Sequence, residues 1–220
     1  MDFTEVVRTT PTCRRYRPDP VPDEILRRVF DGARWAPTGG NRQGVRWVVV
    51  RDAETRRRLR DLYLPLWEQY AGRATSRPGA PLPKLISEAD HMARHLDRVP
   101  VLVVVCARLD DLLATDRHLG RLSIVGGASV YPAVQNLLLG ARAEGLGTAL
   151  TTLLCAVEPQ VKEMLAIPEG VATAALVAMG WPEAPFPVRL SRRPVEEACF
   201  AESWGEPLFA APGDAARRRG

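Results

Sequence analysis

The chain has 220 residues, of which 46% are apolar and 25% charged, and 30 basic residues nearly balance 26 acidic ones for a formal charge of +4. This excludes a disordered activator, a collagen-like chain and a charged tail, and supplies a sizeable core for one domain, two at most. The longest apolar run, Val99 to Ala107, is far below the ~20 residues of a membrane span, and Met1 to Glu5 lacks the start of a secretory signal, so the expectation is a soluble, cytoplasmic chain with no membrane contact.

In chain order, Thr12 to Asp23 is an arginine- and proline-rich stretch carrying Arg14, Arg15 and Arg17. Asp23 to Ala36 places Ile25, Leu26, Val29, Phe30 and Ala33 on one helical face, with acids at its start and Pro37 just past its end. After a turn at Gly39 and Gly40, Val45 to Val50 reads as a strand, and Asp52 can cap a second helix with Leu59, Leu62, Tyr63, Leu66, Trp67 and Tyr70 on one face and a kink at Pro65. Residues 73–83, rich in proline and glycine, predict a mobile loop of the kind that covers binding sites, and a helix follows from Lys84 to about Leu96.

Val101 to Cys106 reads as a buried strand. Arg121 to Glu144 is apolar all round and predicts one long central helix, with Gly126, Gly127, Ala128 and Ser129 near its start admitting a neighbouring helix. Gly145 ends it, a strand around Gly147 to Leu153 follows, then a short helix over Glu158 to Leu165 and a third apolar strand over Val171 to Met179. Prolines at 182, 185, 187 and 194 predict an extended arm over about 181–220, and no linker divides the chain, so 1–220 is expected to be a single domain.

Few motifs carry chemistry by themselves. The cysteines 13, 106, 155 and 199 form no CxxC pair, so disulfides and a thiolate zinc site are not expected; Arg14 and Arg15 beside Cys13 could lower its pKa, but no base stands near it and a plain free thiol is the preferred reading. His91 and His95 share a helical face, but Met92 stands where an HExxH site needs its base, and no metal is expected. Ser129 lacks the second glycine of a nucleophile elbow, and Gly145 to Thr148 follows a helix where a dinucleotide fingerprint must follow a strand, so it reads as a helix cap and strand start. A pI of 9.1 would suit nucleic acid, but the arginines are spread without interleaved aromatics; a basic binding protein for nucleic acid or an acidic partner is the rival reading, not the preferred one. The Thr12–Asp23 stretch offers guanidinium forks suited to a phosphate, and Trp35 to Gln43 offers a tight turn with exposed amides, a hydroxyl and two carboxamides. Together they describe a site for a phosphorylated, planar molecule.

These residues also resemble the nitroreductase family of flavin enzymes. The matching strings are Arg14, Arg15, Tyr16, Val21 and Pro22; Ala36 through Gln43; Gln135 through Leu139; Glu144 through Thr148; and Ser191 through Pro194. The resemblance implies an α+β fold of helices around a mainly antiparallel sheet, and a homodimer binding FMN in two pockets at the subunit interface. It implies that Thr12, Arg14 and Arg15, with Arg192 or Arg193, hold the ribityl phosphate. It further implies that Pro37, Thr38, Gly39, Asn41 and Gln43 meet the ribityl chain and ring edge, and that backbone around Thr151 and Thr152 faces the redox-active nitrogen. NADH or NADPH would donate hydride through the flavin to a small acceptor such as a nitroaromatic or quinone, with no catalytic side chain and no nucleic acid. Flavin fragmentation and reductive dehalogenation are alternative outcomes within the same resemblance, and the 73–83 loop is expected to decide among them.

Overall fold

The computed structural model describes residues 1–74 and 84–209; the expected loop lies outside them from residue 75 onward, Arg73 being helical. The centre is β2 (Val101–Arg108), whose seven consecutive buried residues require cover on both faces. It pairs antiparallel with β1 (Val45–Val50) on one side and β4 (Val171–Gly180) on the other, and β4 pairs antiparallel with β3 (Gly147–Thr151), giving the order β1-β2-β4-β3.

Alternation along β2 separates two cores. Val101, Val103, Val105 and Ala107 pack with Leu26, Val29 and Ala33 of α2 (Asp23–Ala33) and with Val134, Leu137 and Ala141 of α5 (Tyr131–Ala143). Leu102, Val104 and Cys106 pack on the opposite face with Leu59, Tyr63 and Trp67 of α3 (Ala53–Ala74), Met92 and Ala93 of α4 (Lys84–Arg94) and Val161 of α6 (Glu158–Leu165). Asp52 caps α3 as expected, its carboxylate accepting the Thr55 N–H at 2.8 Å, and the helix continues through Pro65.

Three expectations need correction. The helix over Asp23 to Ala36 ends at Ala33, because a residue preceding proline disfavours helical backbone and Pro37 follows Ala36. The long helix over Arg121 to Glu144 is only its second half. Residues 121–130 are turns organised by the buried carboxylate of Asp116, which accepts from Ser123 Oγ at 2.6 Å, an Arg121 guanidinium nitrogen at 2.8 Å and Ile124 N–H at 3.2 Å. Those bonds replace the ones a helix would supply. Gly126 and Gly127 therefore do not sit at a helix crossing; a Cβ on Gly127 would fall 2.5 Å from the Tyr131 ring, whereas Gly140 is the α5 glycine that meets α2, at Val29. Finally, β3 stops at Thr151 and a short helical turn, Leu153–Val157, takes its place.

The amino-terminal segment contains an additional helix, α1 (Phe3–Thr9), capped by Asp2 on the Glu5 N–H at 2.9 Å. Buried Arg142 of α5 holds its end, Nε donating to Thr9 O at 3.1 Å while the Phe186 ring lies 3.8 Å from the guanidinium carbon. The chain then covers the free edge of β3. Thr12 bridges Thr148 in parallel, Cys13 N–H donates to Thr148 O at 2.8 Å, and Arg17 N–H donates to Trp181 O at 2.9 Å. Residues 189–209 belong to a second compact unit, which contains a helical turn at Val195–Glu197, a bridge between Phe200 and Pro207, and a Phe200–Trp204 ring pair 5.0 Å apart.

Two stability predictions follow from backbone placement. Gly147 leaves no room for a side chain, since an added Cβ would lie 2.6 Å from both Cβ and Sγ of Cys13. Gly147→Ala is expected to lower the melting temperature and expose the 12–16 segment to protease, a change read by thermal unfolding and limited proteolysis. Ala166 holds the left-handed position (φ 51) that closes α6, with Ile167 N–H reaching Lys162 O at 2.9 Å. Ala166→Gly removes a Cβ penalty of about 1 kcal/mol, so its melting temperature should rise by roughly 2–4 °C in a thermal scan.

Candidate functional site

The edge pairing of Thr12 and Cys13 on β3 carries Arg14 to the end of that strand. There Thr12, Arg14, Thr151 and Thr152 line one cavity of about 280 Å³ with Tyr63, Trp67 and Tyr70 of α3, Ala89 and Met92 of α4, and Ala149, Leu150 and Leu153. Arg14 is half-buried, and among the described residues its guanidinium makes no hydrogen bond or ion pair. Arg15 turns the other way, because successive side chains of an extended segment alternate, and its Nε donates to Glu88 Oε2 at 2.8 Å. Of the two adjacent cations, only Arg14 is left to neutralise an anion in this cavity.

The cavity walls are fixed by satisfied polar groups. Tyr63, on α3, shares a hydrogen bond of 3.3 Å between its hydroxyl and Thr151 Oγ1, and burial raises its phenol pKa. Trp67 Nε1 donates to Asp90 Oδ1 at 3.0 Å, and the same carboxylate accepts from Arg94 Nε at 2.9 Å. Tyr16 anchors the opener from behind, its buried hydroxyl donating to Cys13 O at 2.6 Å; desolvation pushes that phenol well above its ordinary range. Cys13 is a free thiol, and burial, against the weaker pull of Arg14, raises its pKa.

The Pro37–Gln43 turn forms a different surface. Gly40 (φ 61), Asn41 (φ 53) and Gln43 (φ 51) all adopt left-handed backbone. For residues bearing a side chain this is an uncommon conformation, held by surrounding contacts and clustered at binding sites. Here Thr38 Oγ1 accepts the Gln43 N–H at 3.0 Å, Ser129 Oγ accepts the Gly39 N–H at 3.0 Å, and Gly44 presses on Asp111, where an added Cβ would lie 2.6 Å away. Pro37, Thr38 and Gly39 line a cleft of about 570 Å³ with Gly40, Arg42, Leu113 and Ser129, among others. Asn41 and Gln43 stand exposed on the same turn.

The structure thus groups the sequence-predicted residues into two sets that line different cavities of the described chain. Thr12, Arg14, Thr151 and Thr152 form the first; Pro37, Thr38 and Gly39, with Asn41 and Gln43 beside them, form the second. Arg15 leaves the first set for Glu88, and Arg192 and Arg193 fall in the second compact unit, where an Arg192 guanidinium nitrogen donates to Ser191 O at 2.7 Å. The aromatic wall at positions 63, 67 and 70 was visible in the sequence only as one apolar helical face. His91 and His95 stack at 4.4 Å, and no group of three or more His, Cys, Asp or Glu side chains able to hold a metal occurs among the described residues.

The model of the nitroreductase family matches residues 7–181. The chain is 33% identical to an NADH dehydrogenase of Thermus thermophilus over 77% of this chain and 81% of the relative. It is 31% identical to a 5,6-dimethylbenzimidazole synthase of Rhodospirillum rubrum over 80% of this chain and 79% of that protein. A nitroreductase of Desulfovibrio desulfuricans solved in complex with FMN superposes with a TM-score of 0.64 at 24% identity, over 91% of this chain and 96% of that one. The expected α+β architecture of helices about an antiparallel sheet is therefore that of its relatives, and this chain belongs to the nitroreductase family.

Proposed function

We propose that this protein is an FMN-dependent oxidoreductase that uses NADH or NADPH to reduce a small acceptor such as a quinone or nitroaromatic. The observation that carries the reading is Arg14: a half-buried guanidinium without an acidic partner among the described residues, in a cavity bordered by hydroxyls and aromatic rings. A part-buried, unpaired guanidinium is free to take an anion, and a phosphate with an adjoining planar ring matches both the charge and the wall. Family membership and the FMN complex of the Desulfovibrio relative support that choice of ligand.

FMN supplies the hydride chemistry when bound, so the protein's work is binding, orientation and exclusion of water. Arg14 and Thr12 would hold the phosphate, and the backbone at Thr151 and Thr152 would present donors to the ring. The Tyr63 hydroxyl keeps the Thr151 side chain in place at 3.3 Å. The second set, Pro37, Thr38, Gly39, Asn41 and Gln43, would come from a second copy of the chain. On this reading the protein is a homodimer, because the two sets line different cavities of the described chain. Exposed apolar side chains support an interface, among them Trp35 at 72%, Leu122 at 86% and Ile124 at 77% relative exposure. Among the described residues no helix is long and apolar enough to cross a membrane.

The purified protein should be yellow. Arg14→Ala should raise the FMN dissociation constant by roughly tenfold or more, as expected for loss of a charge-assisted bond, measured by flavin-fluorescence titration of the apoprotein. Arg15→Ala should have a smaller effect; equal affinity of wild type and Arg14→Ala would overturn the assignment. Shared sites predict a further result. Arg14→Glu and Asn41→Pro, each flavin-poor alone, should on co-expression give mixed dimers with half-stoichiometric flavin, because one of their two sites carries neither defect. Flavin content by absorbance decides it, and flavin-free mixed dimers would mean that each chain builds its own site.

A further inference from the structure

The α3 wall of the Arg14 cavity is graded in exposure. Tyr63, Trp67 and Tyr70 follow one another on one helical face at spacings of four and three. Tyr63 is 2% exposed and its hydroxyl is engaged with Thr151; Trp67 is 5% exposed and its indole N–H is engaged with Asp90. Tyr70 is 54% exposed, and its ring lies 5.8 Å from that of Trp67 at a 40° tilt. The two inner rings are thus a fixed floor, and the third is a supported but uncovered aromatic face at the cavity rim.

We infer that Tyr70 is the residue that selects the acceptor, by stacking on a planar aromatic ring. This rests on the oxidoreductase reading and names the substrate class for the same cavity. The ring is already ordered against Trp67, so contact with a flat molecule adds aromatic stacking without the cost of fixing a loose side chain. The polar lining agrees with the class. Among the described residues lining the cavity none is a carboxylate and Arg14 is the one cation, committed on that reading to the flavin phosphate, and nearby Asp90 is committed to Trp67 and Arg94, so a neutral aromatic ring meets no unpaired charge of this lining.

The test is steady-state kinetics of the flavin-loaded enzyme with two acceptors, an aromatic quinone such as menadione and the non-aromatic anion hexacyanoferrate(III). Relative to hexacyanoferrate, the quinone KM should rise roughly threefold to tenfold in Tyr70→Ala, the range of an aromatic pair contact, and by much less in Tyr70→Phe, which keeps the ring. An unchanged KM ratio in Tyr70→Ala, or a Tyr70→Phe as impaired as Tyr70→Ala, would overturn the inference. Flavin absorbance and NAD(P)H oxidation by the unmodified protein separate this from the reading beneath it. A colourless protein inert to nicotinamide refutes the oxidoreductase assignment, whereas an active yellow enzyme with an unaltered ratio refutes only the role of Tyr70.

Discussion

The pairing of the amino-terminal segment with the outer edge of β3 is the contact on which the candidate site depends. A sheet edge left open presents unpaired backbone groups, and here Thr12 and Cys13 supply the missing partner to Thr148. Backbone hydrogen bonds fix register as well as position. Once Cys13 N–H is on Thr148 O, Arg14 must emerge at the end of β3, beside Thr151, while Arg15 must emerge on the other side, toward Glu88. The absence of a side chain at Gly147 lets the Cys13 side chain pack directly against the strand, and Tyr16 locks the arrangement through Cys13 O. A cation is thereby brought into the cavity by main-chain geometry rather than by its own side-chain contacts.

That division explains why two neighbouring arginines of identical chemistry differ in role. Arg15 belongs to a half-exposed ion pair that ties the opener to α4, and such a pair contributes little to stability on its own. Its consequence is local: it draws one positive charge out of the cavity. Arg14 has no hydrogen-bond or ion-pair partner among the described residues, which leaves its guanidinium available in the cavity.

The fold was legible in the sequence wherever burial imposed a period. The all-apolar β2 and the one-sided faces of α2 and α3 announced themselves because the sheet has to be covered on both sides. Gly145 was legible for a conformational reason, since φ 83 and the bond from Leu146 N–H to Ala141 O at 2.8 Å form the expected helix cap. What could not be read was set by single long-range bonds. No charged residue or proline stands between Leu122 and Val130, so the local pattern does not reveal that Asp116 gathers residues 121–124 into turns and that α5 starts only at Tyr131. The site shows the same limit. Arginine density marked the Thr12–Asp23 stretch, and the Gly-Gly-Asn turn was marked by composition, but the divergence of Arg14 from Arg15 follows from strand register, which pattern alone does not contain.

The Pro37–Gln43 turn is held in an unrelaxed conformation. Left-handed backbone at Asn41 and Gln43 is unfavourable by itself, and in this chain Thr38, Ser129 and the close seat of Gly44 on Asp111 keep it in place. A connection between a helix and a strand needs no such strain, because Ala33 and Val45 can be joined by many relaxed loops. The conformation leaves the Asn41 and Gln43 side chains exposed, with only the Gln43 Nε2 engaged, on Asn41 O at 3.4 Å, while the Gly39 and Gln43 N–H groups are held by Ser129 and Thr38. Strain on one surface and an unneutralised cation on another are then complementary deficits, and a planar phosphorylated ligand enclosed between two copies of the chain would relieve the second while using the first.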